Sequence, residues 1–447
     1  MKQNVFGMFL IIFIINSIKA QAQPDWWTIK TNATFIVPDP TYETPYIQPL
    51  NVGGWEDGLS VSRDGLMLYA LYMPVDVFSL FSDFALNPVC FDFHPYYRPP
   101  LFGIDTLTNP WGCPNFFQAD IVYSFRISIY EPFIAWFPSN MARSVSTEGA
   151  PQAISKSVDS VDLFVYTRNG DGTQDMDIMF MKNVTNNPNQ TTAVPIVQSP
   201  QNEDNPHIER ISATQLVLLF DRERYIYYSL SNDNGLTWQT PVQVTNVLND
   251  YAPYDVQPHL WNDGTDWWVY YCAQNSANKR CIYKSKQQIA NDWNSWGLRE
   301  LVIEPNEITG GSGIIAGIGE PTLTARGDLS FVVIYGDPNS TDTTDVYDAD
   351  PWFLPKRWTG ISESDVKQRN IINCYPNPAC DFLNIELLRN EEIKLRMYNL
   401  LGEKVLELEL NTSRKMDVSG LTDGVYFIRA TSESGILFTQ KVIISKR

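Results

Sequence analysis

The chain has 447 residues and a formal charge of −18 at neutral pH, with 33 Lys and Arg against 51 Asp and Glu. This length exceeds what one ordinary hydrophobic core supports, so it predicts a large domain with a smaller one. The acidic surface that this charge implies excludes nucleic acid and disfavours anionic lipid as partners.

The N-terminus has the composition of a secretory signal peptide. An apolar run extends from Val5 to Ile15, and Ala20 and Ala22 supply a small-residue cleavage site. We therefore predict that residues 1–22 are removed. The run is shorter than the roughly 18 residues that span a bilayer, so the mature chain is expected to have no transmembrane segment. An uncleaved membrane anchor is the alternative.

Six cysteines in an exported chain suggest disulfide bonds. Short spacings favour three pairs, with the connectivity left open: Cys90 with Cys113, Cys272 with Cys281, and Cys374 with Cys380. The sequence contains no C-x-x-C motif and no Cys/His cluster, which argues against a structural zinc site.

Short β-rich runs recur along the chain in place of long helical periodicity. The runs are LMLYALY, DLFVYTR, QLVLLFD, WWVYYC and LSFVVIY, and Gly, Asn, Asp and Pro separate them. Apolar runs of this length, bounded by turn residues, are typical of β-strands. The chain is therefore predicted to be all-β.

Each run follows a segment that places an acidic residue close to a proline or its equivalent. The equivalent positions are Leu59, Pro151, Pro206, Pro258 and Pro321, at spacings of 92, 55, 52 and 63 residues. The long first spacing contains an aromatic, proline-rich insertion at about residues 84–116. Repeats of roughly 40 to 60 residues with about four strands each are typical of β-propellers. We predict a five-bladed β-propeller over residues 23–358, with each proline at the start of an innermost strand.

Two segments resemble repeats of known propellers. EDGLSVSRDGLMLYALY is similar to the repeat of Tol-type propellers, and SNDNGLTWQTP resembles the Asp-box of sialidase-like and related propellers. The second resemblance involves Ser231, Asp233, Gly235, Thr237 and Trp238. It implies a structural hairpin in which Ser231 and Asp233 bond turn backbone groups and Trp238 packs into the blade. A sialidase is disfavoured, because the sequence has one convincing Asp-box and no three arginines at equivalent positions.

A different pattern begins after a predicted linker at residues 359–372. Residues 373–447 contain about seven short β runs, which by themselves predict a small Ig-like β-sandwich. They closely resemble the type A sorting domain of the type IX secretion system of Bacteroidetes, on Tyr375, Pro376, Asn377, Pro378, Gly402, Leu421, Gly424, Tyr426 and Lys441. The resemblance implies export through the type IX secretion machinery, with release or attachment at the outer cell surface. An ordinary adhesive module is the alternative.

The axis of the predicted propeller is the expected site, because innermost strands and loops converge there. Acids precede the equivalent positions, namely Glu56, Glu148, Glu203 and Asp255 by three residues and Glu320 by one. Such crowded carboxylates either raise one another's pKa or hold a cation such as calcium; no cofactor is certain. The resemblance to five-bladed glycoside hydrolases makes Glu203, Asp255 and Glu320 candidate catalytic acids. The alternative role is to cap turn amides.

Further candidates for ligand binding, beside Glu56 and Glu148, are Asp57, His207, His259 and Trp352. His207 and His259 each follow one of the repeated prolines, so they are expected at one equivalent position in adjacent blades. Packed rim residues are the alternative for the histidines. Blade packing is likewise the alternative to sugar stacking for tryptophans such as Trp352.

Three functions stay open at this point. The first is an exported or surface-attached propeller that binds an extracellular ligand such as a glycan. The second is a glycoside hydrolase of the five-bladed type, and the third is a scaffold or assembly protein at the outer membrane. Fold alone does not separate them.

Overall fold

The computed structural model describes residues 26–52, 54–73, 120–126, 128–129, 131–142, 147–157, 160–169, 176–185, 193–245, 248, 256–308, 313–337, 347–357, 372–388, 392–399, 402–432 and 437–446. The predicted signal peptide, the whole predicted insertion, residues 359–371 of the predicted linker, Asp255, Cys90 and Cys113 lie outside these residues.

One short helix and a long series of strands make up the large N-terminal domain. Helix α1 is Trp26–Thr31, and strands β1 to β21 are Ala33–Ile36, Tyr46–Ile47, Trp55–Val61, Met67–Met73, Asp120–Phe125, Phe137–Pro138, Thr147–Ser157, Ser160–Asn169, Asp177–Thr185, Val194–Val197, Glu203–Arg210, Leu216–Arg222, Tyr225–Ser231, Val242–Gln243, Val256–Asn262, Trp267–Gln274, Arg280–Lys286, Glu300–Ile308, Ile314–Leu323, Leu329–Gly336 and Tyr347–Leu354. This composition confirms the all-β prediction.

These strands form five successive antiparallel meanders within the described ranges. They are β3–β6, β7–β10, β11–β14, β15–β18 and β19–β21. The first and last are joined by one parallel bridge between Ala349 and Trp55. The five apolar runs of the sequence are the second strands of the five meanders, so the predicted repeat corresponds to a repeated sheet.

The apolar runs are continuous because each of these sheets is covered on both faces. Leu216, Leu218 and Phe220 of β12 pack against the second meander, whereas Val217 and Leu219 pack against the fourth. All five side chains are fully buried. Alternate residues of one strand therefore belong to two different cores, and neither face tolerates polar residues.

The first strands of the meanders follow one another around a ring. Strand β3 contacts β7, β7 contacts β11, β11 contacts β15, β15 contacts β19, and β19 contacts β3. Every one of these strands contains a β-bulge at the equivalent place, where the pairing with the second strand shifts by one residue or more. The ring therefore has one repeated local geometry.

A residue with left-handed backbone occupies each bulge, directly before Leu59 or one of the four prolines. These residues are Gly58, Ala150, Asn205, Gln257 and Glu320, with φ between 42° and 60°. Left-handed backbone costs a non-glycine residue about 1–2 kcal/mol, and proline further disfavours unusual conformations in the residue before it. The four non-glycine residues among them are strained, and strain repeated around one axis marks the place where function is to be sought.

The N-terminal segment completes two distant meanders. Strand β1 pairs with β18, which makes the fourth sheet five-stranded, and β2 pairs with β21 at the outer edge of the fifth sheet. Between them the ammonium of Lys30 lies 2.6 Å from Asp348 Oδ2 and 2.7 Å from Asp350 Oδ2. Burial disfavours the charge, yet the carboxylates of Asp350, Asp348 and Glu56 raise the pKa of Lys30 above its ordinary value.

The C-terminal module is a two-sheet sandwich. Strands β22 to β28 are Ile372–Tyr375, Phe382–Leu387, Ile393–Tyr398, Lys404–Leu410, Arg414–Asp417, Gly424–Ser432 and Leu437–Ile444. The sheet orders are β22–β23–β26 and β25–β24–β27–β28. Their inner faces enclose one apolar core that includes Leu383, Leu395 and Ile428.

This module packs against the flank of the first meander. The ring of Phe427 lies edge-on to Phe125 at 5.3 Å and to Phe137 at 6.2 Å between centroids. Gly402, with φ of 74°, lies so close to Phe137 that an added Cβ would come within 2.8 Å of that ring. Phe427 is 4% exposed and belongs to the core of the first two meanders. The contact is thus a continuation of that core.

The two predicted disulfides that the structure can test are wrong. Cys272, Cys281, Cys374 and Cys380 are all free thiols. In the hairpin of β16 and β17, Cys281 stands opposite Ala273 and Cys272 opposite Ile282, so the two sulfurs point to opposite faces of the sheet. Cys374 is buried in the sandwich core, whereas Cys380 is exposed.

None of the helices in the described ranges has the length and apolar character needed to cross a bilayer.

Candidate functional site

The bulges of the five first strands surround a cavity on the axis of the ring. It is open to solvent and is lined by Gly58, Leu59, Ala150, Pro151, Gln152, Asn205, Pro206, His207, Gln257, Pro258, His259, Glu320 and Pro321. Every meander contributes to this lining. The repeated prolines therefore meet at one cavity, as predicted, but they lie at bulges inside the first strands and not at the strand starts where the sequence analysis placed them.

His207 and His259 lie side by side in the wall of this cavity. Their ring centroids are 4.0 Å apart with an angle of 60° between the planes. Both side chains are buried, at 3% and 7% exposure. The equivalence inferred from the prolines before them is thus reproduced in space.

The residue after three of the four prolines connects neighbouring meanders. Gln152 Oε1 accepts a hydrogen bond from Ile208 N at 2.9 Å, and His259 Nε2 accepts one from Leu323 N at 3.1 Å. Thr322 Oγ1 accepts a bond from Val61 N at 2.9 Å, which links the fifth meander to the first. We call these three bonds the inter-strand links. They occupy one repeated position and hold the first strands side by side.

The link made by His259 fixes its protonation state. Its Nε2 is an acceptor, so the neutral ring carries its proton on Nδ1. Burial, then the neighbouring His207 and Arg63, hold the pKa of His259 well below its usual value. A metal-ligand role is not needed to explain this residue, since it satisfies a buried amide.

His207 is placed differently. Its Nε2 lies 3.6 Å from Glu209 Oε1, beyond hydrogen-bond reach, and makes no hydrogen bond. Glu209 is instead bonded to Arg63, at 2.7 Å. A buried nitrogen without a hydrogen bond in a cavity wall is available to a ligand.

A hydrogen-bonded group of acids and amides lies on one side of the cavity. Asn205 Nδ2 donates to Asp221 Oδ1 at 2.9 Å, and Gln257 N donates to the same oxygen at 3.0 Å. Gln257 Nε2 donates to Glu320 Oε1 at 2.5 Å, and Asn205 N donates to Asp204 Oδ1 at 2.8 Å. We call Asp204, Asn205, Asp221, Gln257 and Glu320, together with the nearby Asp57, the acidic mouth.

Crowding of carboxyl groups shifts their protonation. Burial, then the charge of Asp204, raises the pKa of Asp221 to about 7. Burial and the charge of Asp57 raise the pKa of Asp204 to about 6. Burial and then Asp57, Asp204 and Asp221 raise the pKa of Glu320 well above its ordinary value. At neutral pH the mouth therefore holds protonated and ionised carboxyls side by side.

Asp57 joins this group from the first meander. Its Oδ1 accepts a bond from Gly58 N at 2.9 Å and its Oδ2 accepts one from Trp55 Nε1 at 3.0 Å. Burial raises the pKa of Asp57, against these two bonds and the charge of Arg280. Among the described residues, Arg280 at the start of β17 is the cation of the acidic mouth. Its charge interacts with the carboxyl groups of Asp57, Glu320 and Asp221.

Several residues expected at the axis lie elsewhere. Glu203 is fully buried, and its Oε1 accepts hydrogen bonds from Arg222 Nε, at 2.8 Å, and from Ser199 Oγ. Glu56 accepts a bond from Val52 N at 2.9 Å and faces the Lys30 cluster. Glu148 is buried opposite Arg168 in the ladder of β7 and β8. These acids lie within the sheets and outside the lining of the cavity, so their assignment to the ligand site or to catalysis gains no support from the geometry.

Trp352 is a core residue, 4% exposed, and not part of the cavity wall. Its Nε1 donates to the hydroxyl of Tyr335, and its ring packs on Phe35 at 4.8 Å between centroids. Asp255 directly precedes the described part of β15, so the structure does not test its assignment.

The turn between β13 and β14 carries the segment that resembles an Asp-box. Gly235 N donates to Ser231 Oγ at 2.7 Å, and Thr237 N and Oγ1 donate to the two oxygens of Asp233 at 2.8 and 2.5 Å. Trp238 packs edge-on against Phe180. These bonds close a turn that takes no part in lining the cavity.

The sequence could not single out Asp204, Asp221, Asn205, Gln257 and Arg280. Asp204 stands two residues before Pro206, just as Asp57 stands two residues before Leu59. This shared position in the repeat is a sequence signal that could have identified Asp204. Asp221 and Arg280 come from strands that carry no repeated acid or base. Among the described residues no three His, Cys, Asp or Glu side chains are grouped closely enough to hold a metal ion.

In the C-terminal module the proline motif is bound to the last strand. Asn377 Nδ2 donates to Lys441 O and Ile443 N donates to Asn377 Oδ1, both at 2.8 Å. Tyr426 donates its hydroxyl to Thr422 O at 2.9 Å, and Gly424 begins β27. The residues of the predicted sorting motif therefore hold the sandwich together.

Solved structures of low similarity include a GH62 α-L-arabinofuranosidase catalytic domain from Coprinopsis cinerea, with 11% identity, coverage of 72% of this chain and 96% of that one, and a TM-score of 0.42. A GH32 β-fructofuranosidase from Bombyx mori shows 10% identity, coverage of 93% and 91%, and a TM-score of 0.40. Likeness at this level says nothing about what the present chain binds.

A curated relative is similar to the tail alone. Beta-agarase D from Zobellia galactanivorans is 36% identical over 75 residues, which are 17% of this chain and 15% of that protein. The chain thus matches about one seventh of the relative's length. Residues 373–445 match the family described as Secretion system C-terminal sorting domain. This match indicates that the chain is exported by the type IX secretion system to the cell surface or beyond.

Proposed function

We propose that the five meanders are the blades of a closed five-bladed propeller, and that the exported protein binds a glycan at the acidic mouth of its axis. The cyclic contacts of the first strands support the propeller, as does the Thr322 to Val61 link between the last meander and the first. The observation that carries the binding site is the acidic mouth itself.

The mouth has the hydrogen-bonding capacity that recognition of sugar hydroxyls requires. Protonated carboxyls and amide NH₂ groups donate, while ionised carboxylates accept. Asp57, Asp204, Asn205, Gln257 and Glu320 are all partly exposed, so a ligand can reach them. Their positions are held by strained bulges, which keeps these groups in place before a ligand arrives.

A binding screen tests this function. Binding of the secreted full chain to a panel of neutral, acidic and amino-containing oligosaccharides would be measured by calorimetry. The variant Asp221→Ala should lose most of the affinity, because it removes the acceptor shared by Asn205 and Gln257. Glu300→Gln is the control, since Glu300 is exposed and pairs weakly with Lys284. If no oligosaccharide binds, the proposal is overturned.

Glycoside hydrolysis is a second candidate. It is favoured by the contrast between Glu320, whose pKa is raised well above its ordinary value, and the more weakly shifted Asp57. A retained proton suits a general acid, and an ionised carboxylate suits a base or nucleophile. Release of reducing ends from the same panel, abolished in Glu320→Gln and kept in Glu300→Gln, would support it. Binding of an oligosaccharide without release of reducing ends would support glycan binding and contradict hydrolysis.

A further inference from the structure

We propose that the ligand of the acidic mouth carries a free, protonated amine, and that the glycan class it fits is an amino sugar whose nitrogen is not acetylated. This inference rests on the proposed function and deepens it. It starts from the balance of charged groups around the mouth.

Negative groups outnumber positive ones there. The titratable groups that face one another are Asp57 on β3, Asp204 on β11, Asp221 on β12, Cys272 on β16, Arg280 on β17 and Glu320 on β19. Four carboxyl groups therefore share one guanidinium among the described residues. A cationic group in the mouth would relieve this repulsion, whereas a carboxylate or sulfate on the ligand would add to it.

The cavity next to these carboxyls supplies an independent indication of a ligand. Glu320, Asn205 and Gln257 belong both to the acidic mouth and to the cavity wall. The lining also contains His207, which is 3% exposed and whose Nε2 lies 3.6 Å from Glu209 Oε1 and makes no hydrogen bond. Among the buried side-chain nitrogen and oxygen atoms of the described cavity wall, that nitrogen is the one without a hydrogen bond.

The size of the cavity restricts what enters it. Its inner space has room for little more than one water molecule, so a sugar ring stays at the mouth while a substituent points inward. An ammonium group has about the size of a water molecule and offers three N–H donors. An acetamido group is larger, neutral, and offers a single N–H donor.

Binding of an amine has a consequence for protons. The pKa values of Asp204 and Asp221 are about 6 and 7, so these carboxyls carry protons for part of the time near neutrality. A bound cation favours their ionised forms and lowers both pKa values. Uptake of the amine therefore releases protons, and affinity rises from pH 5 towards pH 7.5 as long as the amine stays protonated.

The test compares oligomers of glucosamine with N-acetylglucosamine oligomers of equal length, using the full secreted chain in titration calorimetry. We expect at least about tenfold tighter binding of the free amine, equivalent to about 1.4 kcal/mol. Titrations in two buffers of different ionisation enthalpy should show proton release for the amine only. This second readout needs no variant and is independent of folding defects.

Two single variants, Asp221→Asn and Asp57→Asn, should reduce the preference for the amine to about twofold or less, while Glu300→Gln keeps it. Equal affinity for the two oligomers, or tighter binding of the acetylated one, overturns the inference and leaves the glycan site in place. A preference that survives unchanged in both variants also overturns it, because it then reflects the acidic surface as a whole. Failure of every sugar to bind overturns the proposed function together with this inference.

Discussion

At the scale of single residues, side chains at equivalent positions of the cavity wall differ in their hydrogen bonding. His259, Gln152 and Thr322 each accept an amide proton from the next meander, and His207 does not. The same sequence position therefore serves the ring in one meander and is available to a ligand in another. His207 and His259 have equivalent positions in the sequence, and only the structure shows that the Nε2 of His259 accepts a hydrogen bond whereas that of His207 does not.

The first prediction concerns His259. His259→Ala leaves the buried N–H of Leu323 without an acceptor, so it should lower the free energy of unfolding by about 2–3 kcal/mol. His259→Gln should cost clearly less, since Gln152 performs the same task in the second meander. Urea unfolding of the two variants beside His207→Ala gives the comparison. Equal losses for His259→Ala and His259→Gln would show that the acceptor is unimportant.

The second prediction concerns the protonation of Asp221. Its pKa in the folded protein, about 7, lies above the ordinary value of 3.8, so the folded state binds the proton more tightly than the unfolded state. This group therefore favours folding at low pH, and its contribution is lost as the pH rises from about 4 to 7.

Asp221→Asn removes that dependence. Relative to the wild type, the variant should gain about 1–4 kcal/mol of stability between pH 4 and pH 8. Denaturant titrations at both pH values measure the difference. Unfolding curves whose separation does not change with pH would contradict the shifted pKa.

At the scale of elements, helix α1 fastens the junction between the last and the first meander. Lys30 reaches Asp348 and Asp350 on β21, and Glu56 on β3 adds a third buried carboxylate. Glu56 and Asp350 are fully buried, so these charges depend on the lysine for compensation.

Lys30→Met should therefore be costly. Removing one partner from a buried ion pair typically costs about 3–5 kcal/mol, because the remaining charges stay buried. Lys286→Met is the matched control, because its pair with Asp266 is partly exposed and should contribute less than about 1 kcal/mol. Thermal unfolding of both variants measures the difference. Similar small losses of stability would mean that Lys30 of α1 does not stabilise the junction between the last and the first meander.

The elements also show how far the sequence can predict this fold. The apolar runs predict the strands, because a strand that is buried on both faces needs apolar residues throughout. The prolines predict the repetition, because a residue without a backbone N–H fits few positions in a sheet. The composition does not predict the direction of the acidic side chains. Alternation along β11 puts Glu203 and Asp204 on opposite faces of the sheet, and the same alternation separates Cys272 from Cys281. Glu320 lies within the bulge of β19.

At the scale of the whole molecule, the sorting domain is part of the folded body and not a free appendage. Phe427 fills a space beside Phe125 and Phe137, and Gly402 allows Phe137 to approach. The sequence predicts two separate domains, but in the structure they share an apolar contact, so we expect the stability of each to depend on the other.

Phe427→Ala in the full chain tests this coupling. It should cost about 3–5 kcal/mol and split a common thermal transition of the propeller and the sandwich into two. Phe382→Ala is the control on the exposed side of the same module, where 45% of the residue faces solvent. Calorimetry that records identical transitions for Phe427→Ala and the wild type would refute the coupling.

The pairing of the N-terminal strands sets the order in which the chain can fold. Ala33 pairs with Ile308, and Thr34 bonds Glu307 across 273 residues of sequence. Strand β1 therefore has no partner until nearly the whole large domain has been synthesised, and loop closure over such a distance is slow. The five-stranded fourth sheet is therefore completed only after residues 300–308 have left the ribosome, so the two ends of the large domain must be present together before its last edge closes.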